Sequence, residues 1–449
     1  MREQRVEVEP FALLELLECA GTVCADKHGF MTVKGYIARD REDIYLEMLA
    51  DDTWVSVKVY DENGNSDILF TGIVTAGEIG VQNGVKTLEI TIKTGSFLMD
   101  MEEHIRSFQH TGSTYDEILK SFERPYQKYG YIMEDGNGES IKGFLCQYQE
   151  TDWQFAERVA KQCNTSLYPN YIGSGVKFYF GMPSGADRGK ISLTEYALRQ
   201  TEKGISYVGK LRELFDIGDT VNFNGKTLFV TKRITEYQKS EFYHTYTLAE
   251  QVEDREVSYN DKLTGVSLDA VVTGVKGTDV TISISRDENK AFSGSRCFSY
   301  ATVYSSPDGS GWYCMPETGD CVRLYFPSNR ESEAYVLSTV HLSAESSGRR
   351  SNPNNKSLMN KQGKEILFKP DSILITNNNG MSLELSDEDG ISIISDKKIR
   401  FESDEAIEIT SVKEKIDLIS PEKISLKQGN TNMELSNKMV MKSTKVRLN

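Results

Sequence analysis

Apolar and polar residues alternate through most of the first hundred positions. "GFMTVKGYI", "TWVSVKVYD", "DILFTGIVTAGEI" and "VKTLEITIK" read as strands, with turn signals such as "DENGN" and "QNG" between them. Short alternating strands at this spacing predict a barrel or a sandwich. Helical spacing then takes over. In "STYDEILKSFER", Ser113 or Thr114 is the N-cap, and Tyr115, Ile118, Leu119 and Phe122 share one face. In "QYQETDWQFAERVAKQ", residues 147–162, Thr151 and Gln154 form a capping box. Trp153, Ala156, Val159, Ala160 and Cys163 follow at helical spacing.

Alternation returns near residue 206, where "IGDTVNFNGKTLFVTKRITEYQKSEFYHTYTLAE" predicts a meander around an Asn224-Gly225 turn. Residues 264–342 hold enough short strands for a five-stranded Greek-key barrel of the OB type. "SAESSGRRSNPNNKS" has no apolar periodicity and reads as a linker.

From Ile366 the pattern becomes a repeat of apolar i, i+2 dyads: Ile366/Phe368, Ile373/Ile375, Leu383/Leu385, Ile391/Ile393, Ile399/Phe401 and Ile407/Ile409. Ile416/Leu418, Ile424/Leu426, Met433/Leu435, Met439/Met441 and Val446/Leu448 continue it. The dyad starts lie 7, 10, 8, 8, 8, 9, 8, 9, 6 and 7 residues apart. One such strand buries only ~3–6 kcal/mol of apolar side chain. Ordering its backbone costs ~1–2 kcal/mol per residue, so the strands must cover one another. Eight residues is short for a full single-chain β-helical coil but fits one side of a triangular prism. The expectation is an intertwined homotrimer, a triple-stranded β-helix roughly 50 Å long at ~4.8 Å per strand layer.

Composition narrows the functional classes. A net charge of −15 argues against nucleic acid and anionic membranes, which call for a basic face. The seven Cys have no metal-ligand spacing and suit reduced, mostly buried thiols. The charged start "MREQRVEVEP" and the Glu15 and Glu18 that interrupt the next apolar run give no signal peptide or membrane span. The expected site is cytoplasmic synthesis without a signal-peptide export route.

Glu150 and Asp152 beside Trp153 raise the possibility of acid–base catalysis. Two residues apart at a strand–helix junction, however, their side chains diverge, whereas glycosidase carboxylates face each other across ~5–9 Å. Asp152 in the first helical turn suits the helix dipole. Glu150 suits a basic partner such as Arg106 or Arg158. The five His lack HExxH or HxH spacing, and neither a GxSxG elbow nor a GxxxxGK[ST] loop is present. No catalytic residue, metal or cofactor is expected.

The order of elements resembles the VgrG proteins of type VI secretion and the fused hub-spike proteins of contractile phage tails and tailocins. "QYQETDW" with Phe155 carries the most specific likeness. Arg106, Phe108 and Gln109 match a family turn, and Pro316, Gly319 and Asp320 match its barrel turn. "KQGKEILFKPDSILIT" resembles the start of the family's needle. The resemblance implies a mainly β chain with few helices. It has a hub of two barrel-like parts (1–255), an OB-fold domain (256–345) and a linker with the spike (346–449). The needle core would be the dyads from Ile391 to Leu426. It further implies a non-enzymatic trimer that plugs the inner tube, meets other baseplate proteins, carries a PAAR-like tip protein and transiently pierces the target envelope. The rival expectations are a tail-associated peptidoglycan-degrading enzyme and a receptor-binding fibre.

Overall fold

A computed structural model describes residues 5–60, 64–110, 112–201, 204–250, 256–290, 294–338, 352–442 and 444–445. The chain divides into two units, Met1–Val340 and His341–Asn449. The expected hub and barrel domain both fall in the first unit, and the dyads fall in the second. The 345/346 boundary, most of the predicted linker and the Val446/Leu448 dyad lie outside the described residues.

The alternating segments form strands with their apolar positions on one face. Val55, Val57, Phe70, Ile90 and Ile92 are buried in a single core with Val221, Val230 and Leu248 of the later meander. What the alternation could not reveal is that the two barrel-like parts share one twelve-stranded sheet. Glu15–Cys24 pairs antiparallel with Lys226–Gln238 and joins them. The meander turns where predicted, with Asn224 and Gly225 both at positive φ (52° and 78°), as a tight two-residue hairpin requires.

One helix, α1 (Glu42–Ala50), has no counterpart in the sequence expectations. It buries Tyr45, and Met48 and Leu49 on the same face pack partly buried against the hub core. Good helix formers and acids in the first turn favour it further. The predicted helices α2 (Tyr115–Lys120) and α3 (Asp152–Gln162) both begin with complete capping boxes, at Thr114 and Thr151. Of the two caps considered for α2, Thr114 is the one used. Their apolar faces form a second core containing Tyr115, Ile118, Leu119, Phe122, Trp153, Phe155, Ala156 and Val159. No helix among the described residues is long and apolar enough to cross a membrane.

The third core belongs to a five-stranded sheet in the order Cys297–Ser299, Asp279–Ile284, Ser267–Lys276, Cys321–Tyr325, Tyr335–Ser338. A parallel bridge from Tyr300 to Val336 joins its two ends. The sheet is thereby linked end to end through one bridge. At Pro316, Gly319 and Asp320 the chain turns: Gly319 has φ 95°, and Asp320 accepts the Glu317 N–H at 2.8 Å. The thiols depart from expectation. Only Cys19 and Cys146 are buried, while Cys297, Cys314 and Cys321 are exposed, the first and last at outward strand positions. Burial pushes the Cys19 thiol up to about 12.

In the second unit the dyads become geometry. Across four successive antiparallel strands, Ile366, Ile375, Leu383 and Ile393 pair in one column, and Phe368, Ile373, Leu385 and Ile391 in another. A second sheet repeats this with Ile424, Leu435 and Met439 beside Leu426, Met433 and Met441. Strands 356–395 and 424–442 therefore meander beside their own neighbours in this chain. The reason is local: short hairpin turns, such as the one closed by Gly390 at φ 81°, return the chain directly beside itself. Residues 396–423, with the dyads Ile399/Phe401, Ile407/Ile409 and Ile416/Leu418, belong to no strand.

The residues expected to form the needle core between three copies are left uncovered in one copy. None of the dyad residues from Ile391 to Leu426 is buried within the chain. Ile391 is 72% exposed, Phe401 74%, Ile409 72% and Leu418 67%. The physical reason is that one layer of short strands and turns has no second layer of its own to exclude water from its apolar side. Leu418 and its neighbours Ile407, Ile409 and Ile416 lack even a paired strand beside them. A single chain supplies the apolar columns but not the core.

Candidate functional site

The residues of the "QETDW" motif converge on a buried joint between the hub and the barrel domain. Its frame is a two-stranded ribbon in which Glu103–Phe108 pairs antiparallel with Leu145–Thr151. Arg106 and Phe108 therefore sit on a strand, where the resemblance implied a turn. Phe108 and Leu145 enter the helical core, whereas Phe144 and Cys146 enter the barrel core. Phe144 lies 5.2 Å from Phe298 and 6.2 Å from Phe326, ring to ring. The ribbon is thus a shared wall that sends apolar side chains into both cores.

The two carboxylates go separate ways. Asp152 is fully buried and accepts from Arg106, from the Tyr126 hydroxyl at 2.7 Å and from Gln147 at 3.0 Å. Burial, then the adjacent Asp152 charge, hold the Tyr126 phenol above its ordinary value. Glu150 takes two donors from Arg158, at 2.8 and 2.7 Å. Of the two basic partners considered for it, the structure uses Arg158. The same guanidinium reaches Glu331 of the barrel domain at 2.5 Å and the Cys146 carbonyl at 3.0 Å. Burial opposes the Arg158 charge, yet Glu331 and Glu150 outweigh it and hold its pKa above the ordinary value.

A barrel loop zips along the other strand. Asp287 accepts from both the backbone N–H (3.0 Å) and the hydroxyl of Ser107, and Glu288 accepts the Ile105 N–H at 3.1 Å. Gln109 accepts the Gly294 N–H at 2.9 Å. Asp287, Glu288 and Glu331 were not singled out from sequence. The acid-rich "RDEN" and "RESE" stretches are the only signal they leave. Phe155 stacks on Phe108 at 5.4 Å, so two segments of family likeness meet inside the protein. Pro316, Gly319 and Asp320 are not part of this joint.

A Ser–His–Asp chain does assemble nearby. Ser96 Oγ lies 2.9 Å from His28 Nδ1, and His28 Nε2 lies 2.7 Å from Asp100. Ser96 is 0% exposed and hydrogen-bonds to Thr94, so no substrate carbonyl can reach its hydroxyl in this conformation. Asp100 also accepts from Thr151 at 2.5 Å, and His28 packs on Trp153 at 4.7 Å. Burial disfavours the Asp100 charge, but the bonds from His28 and Thr151 hold its carboxyl below the ordinary value. The chain braces the start of α3. Among the described residues no group of three or more His, Cys, Asp or Glu is placed to hold a metal.

No family model and no curated protein matches the sequence. Solved structures do match. The E. coli c3393 protein, a component of the type VI secretion system with structural similarity to the T4 bacteriophage tail proteins gp27 and gp5, aligns at TM-score 0.52 and 13% identity. That alignment covers 74% of this chain and 99% of the other. A half-lidded Francisella PdpA–VgrG complex aligns at TM-score 0.57 and 9% identity, covering 87% of each chain. Its lidded form aligns at 0.54 and 9%, covering 85% of this chain and 76% of the other. At these identities the likeness is one of fold, and the fold is that of VgrG-like and tail-hub proteins.

Proposed function

We propose that this chain, with its VgrG-like fold, is a structural hub-spike subunit of a contractile injection apparatus and works as a homotrimer. The observation that carries the reading is the uncovered apolar face of the second unit. Ile391, Phe401, Ile409 and Leu418 are exposed in a series that recurs along the whole repeat. Contiguous apolar surface on this scale marks an interface. Two further copies, each presenting the same columns, cover it around a threefold axis.

Residues 397–423 support the same reading through their backbone. They make no backbone-to-backbone hydrogen bond to another described residue. Their dyads keep the period of the paired strands, so strands from the other two copies complete the ladder there. Over residues 397–423 the rod that results resists local unfolding, because there no strand leaves without breaking a ladder shared by three chains.

The mechanism is mechanical. The hub meets the inner tube protein and other baseplate proteins, and the buried joint carries axial force into the barrel domain. The narrow spike, with a PAAR-like tip protein, concentrates that force on the target envelope. The energy comes from sheath contraction, and the subunit is assembled in the cytoplasm and driven outward. Nucleic acid is no partner, and the subunit performs no catalysis.

The test is molar mass in solution by light scattering. The expected value is three times 50.6 kDa. A folded, monodisperse monomer overturns the reading.

A further inference from the structure

The barrel domain carries an arm that its own core does not use. Between Cys297–Ser299 and Cys321–Tyr325 the chain folds into a hairpin closed by a Ser305–Gly311 bridge. Its tip is tied by its own polar groups. The Ser306 N–H donates to the Ser310 carbonyl at 2.9 Å, and Asp308 accepts the Ser310 N–H at 2.9 Å and the Ser310 hydroxyl at 2.7 Å. Gly311 is required at φ 137°, because a Cβ there would lie 2.5 Å from the Tyr304 carbonyl oxygen. Below the tip the Trp312 N–H donates to that same carbonyl at 2.9 Å. The Tyr313 hydroxyl anchors the base on the Gly277 carbonyl at 3.1 Å. The shape is therefore set before anything binds, yet the side chains it holds out are apolar. Val303 is 95% exposed, Tyr304 51%, Trp312 57% and Tyr313 74%. Residues 301–316 hold one acid, Asp308, and no base.

We propose that this aromatic arm packs against a neighbouring copy of the same chain, a contact that rests on the trimer reading above. Area points to a protein partner. At ~150–250 Å² per aromatic side chain, the three rings and Val303 leave roughly 400–500 Å² open to water. A receiving surface of equal size brings the contact to about 900 Å², close to the ~1,000 Å² at which specific interfaces begin. Preset Trp and Tyr side chains are also what interface hot spots are made of, since little freedom is lost when they are covered. Charge then selects the partner. Each chain carries −15, so two copies repel wherever their acids face one another. An arm with one acid and no base meets an equally acidic neighbour without that repulsion. It offers a basic protein almost nothing to pair with, and without a base it cannot take up the phosphates of a nucleic acid. In a threefold ring the rotation that seats one arm seats all three. The contact is small, so it adds to the apolar columns of the second unit and does not replace them.

The experiment is photocross-linking of the full chain with a benzophenone amino acid in place of Trp312. Boiled denaturing gels are expected to show cross-linked dimer and trimer after irradiation, in a yield that tenfold dilution of the protein leaves unchanged. A Trp312→Asp/Tyr313→Asp variant is expected to keep the trimeric mass and to come apart in hot detergent at least tenfold faster than the wild type. Light scattering on the same samples separates the two readings. A trimer whose arm cross-links only within its own chain, a yield that falls with dilution, or a wild-type lifetime in the double variant sinks this inference alone. A monomer sinks the trimer reading and this inference with it.

Discussion

Arg158 and Glu331 meet at 2.5 Å although 173 residues separate them, and each side chain is less than 5% exposed. One guanidinium from a hub helix therefore neutralises an acid of the barrel domain as well as Glu150 of its own motif. Arg158→Met strands both carboxylates in the interior and is expected to cost about 3–5 kcal/mol. Urea denaturation measures it, and Glu331→Gln, which leaves the Arg158–Glu150 pair intact, costs less. A wild-type midpoint for Arg158→Met would mean that the joint does not depend on this cluster. A wall-degrading enzyme instead predicts peptidoglycan turnover abolished by Glu150→Gln; none is expected from either protein.

Trp153 is buried between His28, 4.7 Å away, and Phe178, 6.0 Å away. Trp153→Ala removes a large side chain from a packed core and is expected to cost about 3–5 kcal/mol. Calorimetry on the purified variant checks this. An unchanged melting temperature would remove Trp153 from the list of core anchors.

His244 sits buried beside Thr235, its Nδ1 3.0 Å from the hydroxyl. Burial first, then the Arg233 charge, push its pKa down to about 3. The unfolded chain takes up this proton near pH 6.5 and the folded chain does not. The stability this difference contributes is complete above about pH 6.5. It is lost as pH falls toward about 3, at up to about 1.4 kcal/mol per unit. His244→Asn keeps a polar partner for Thr235 and lacks the titration, so its urea midpoint is expected to fall less between pH 6.5 and 4. Identical pH slopes in the two proteins would contradict this. Carboxylates titrate in both and cancel in the difference.

Truncation after Asn352 removes the apolar columns and leaves the three cores of the first unit whole. The expected product is folded, has lost the trimeric mass, and no longer resists heat and detergent. Light scattering and gel mobility without boiling read the two properties. A truncated protein that keeps both would place the trimer contacts in the hub.

The sequence alone determined what depends on near neighbours. Capping at Thr151, the Asn224-Gly225 turn, the alternating strands and the dyad period are relations over two to eight residues; the first three have the local structure they implied, whereas the dyads within 396–423 form no strand. It also told which side of each dyad strand is apolar, because side-chain direction in a strand alternates with every residue. Helix α1 escaped because its apolar face is short, Tyr45 with the partly buried Met48 and Leu49, and the exposed Ile44 and Leu46 beside it blur the period.

Tertiary structure alone decided the pairings. Glu150 had two basic partners open to it in the sequence, and only the docking of α3 against the barrel domain assigns Arg158 to Glu150 and Glu331 and leaves Arg106 for Asp152. The union of two barrel-like parts into one sheet and the exposure of three thiols were likewise invisible in the chain. So was the exposure of Leu418 and the dyads before it, since a period marks a side chain as apolar without saying which chain covers it. Each depends on which distant surfaces exclude water together, and contacts of that range leave no period in a sequence. Local order is written residue by residue, whereas the identity of a buried ion's partner is set only when the domains close around it.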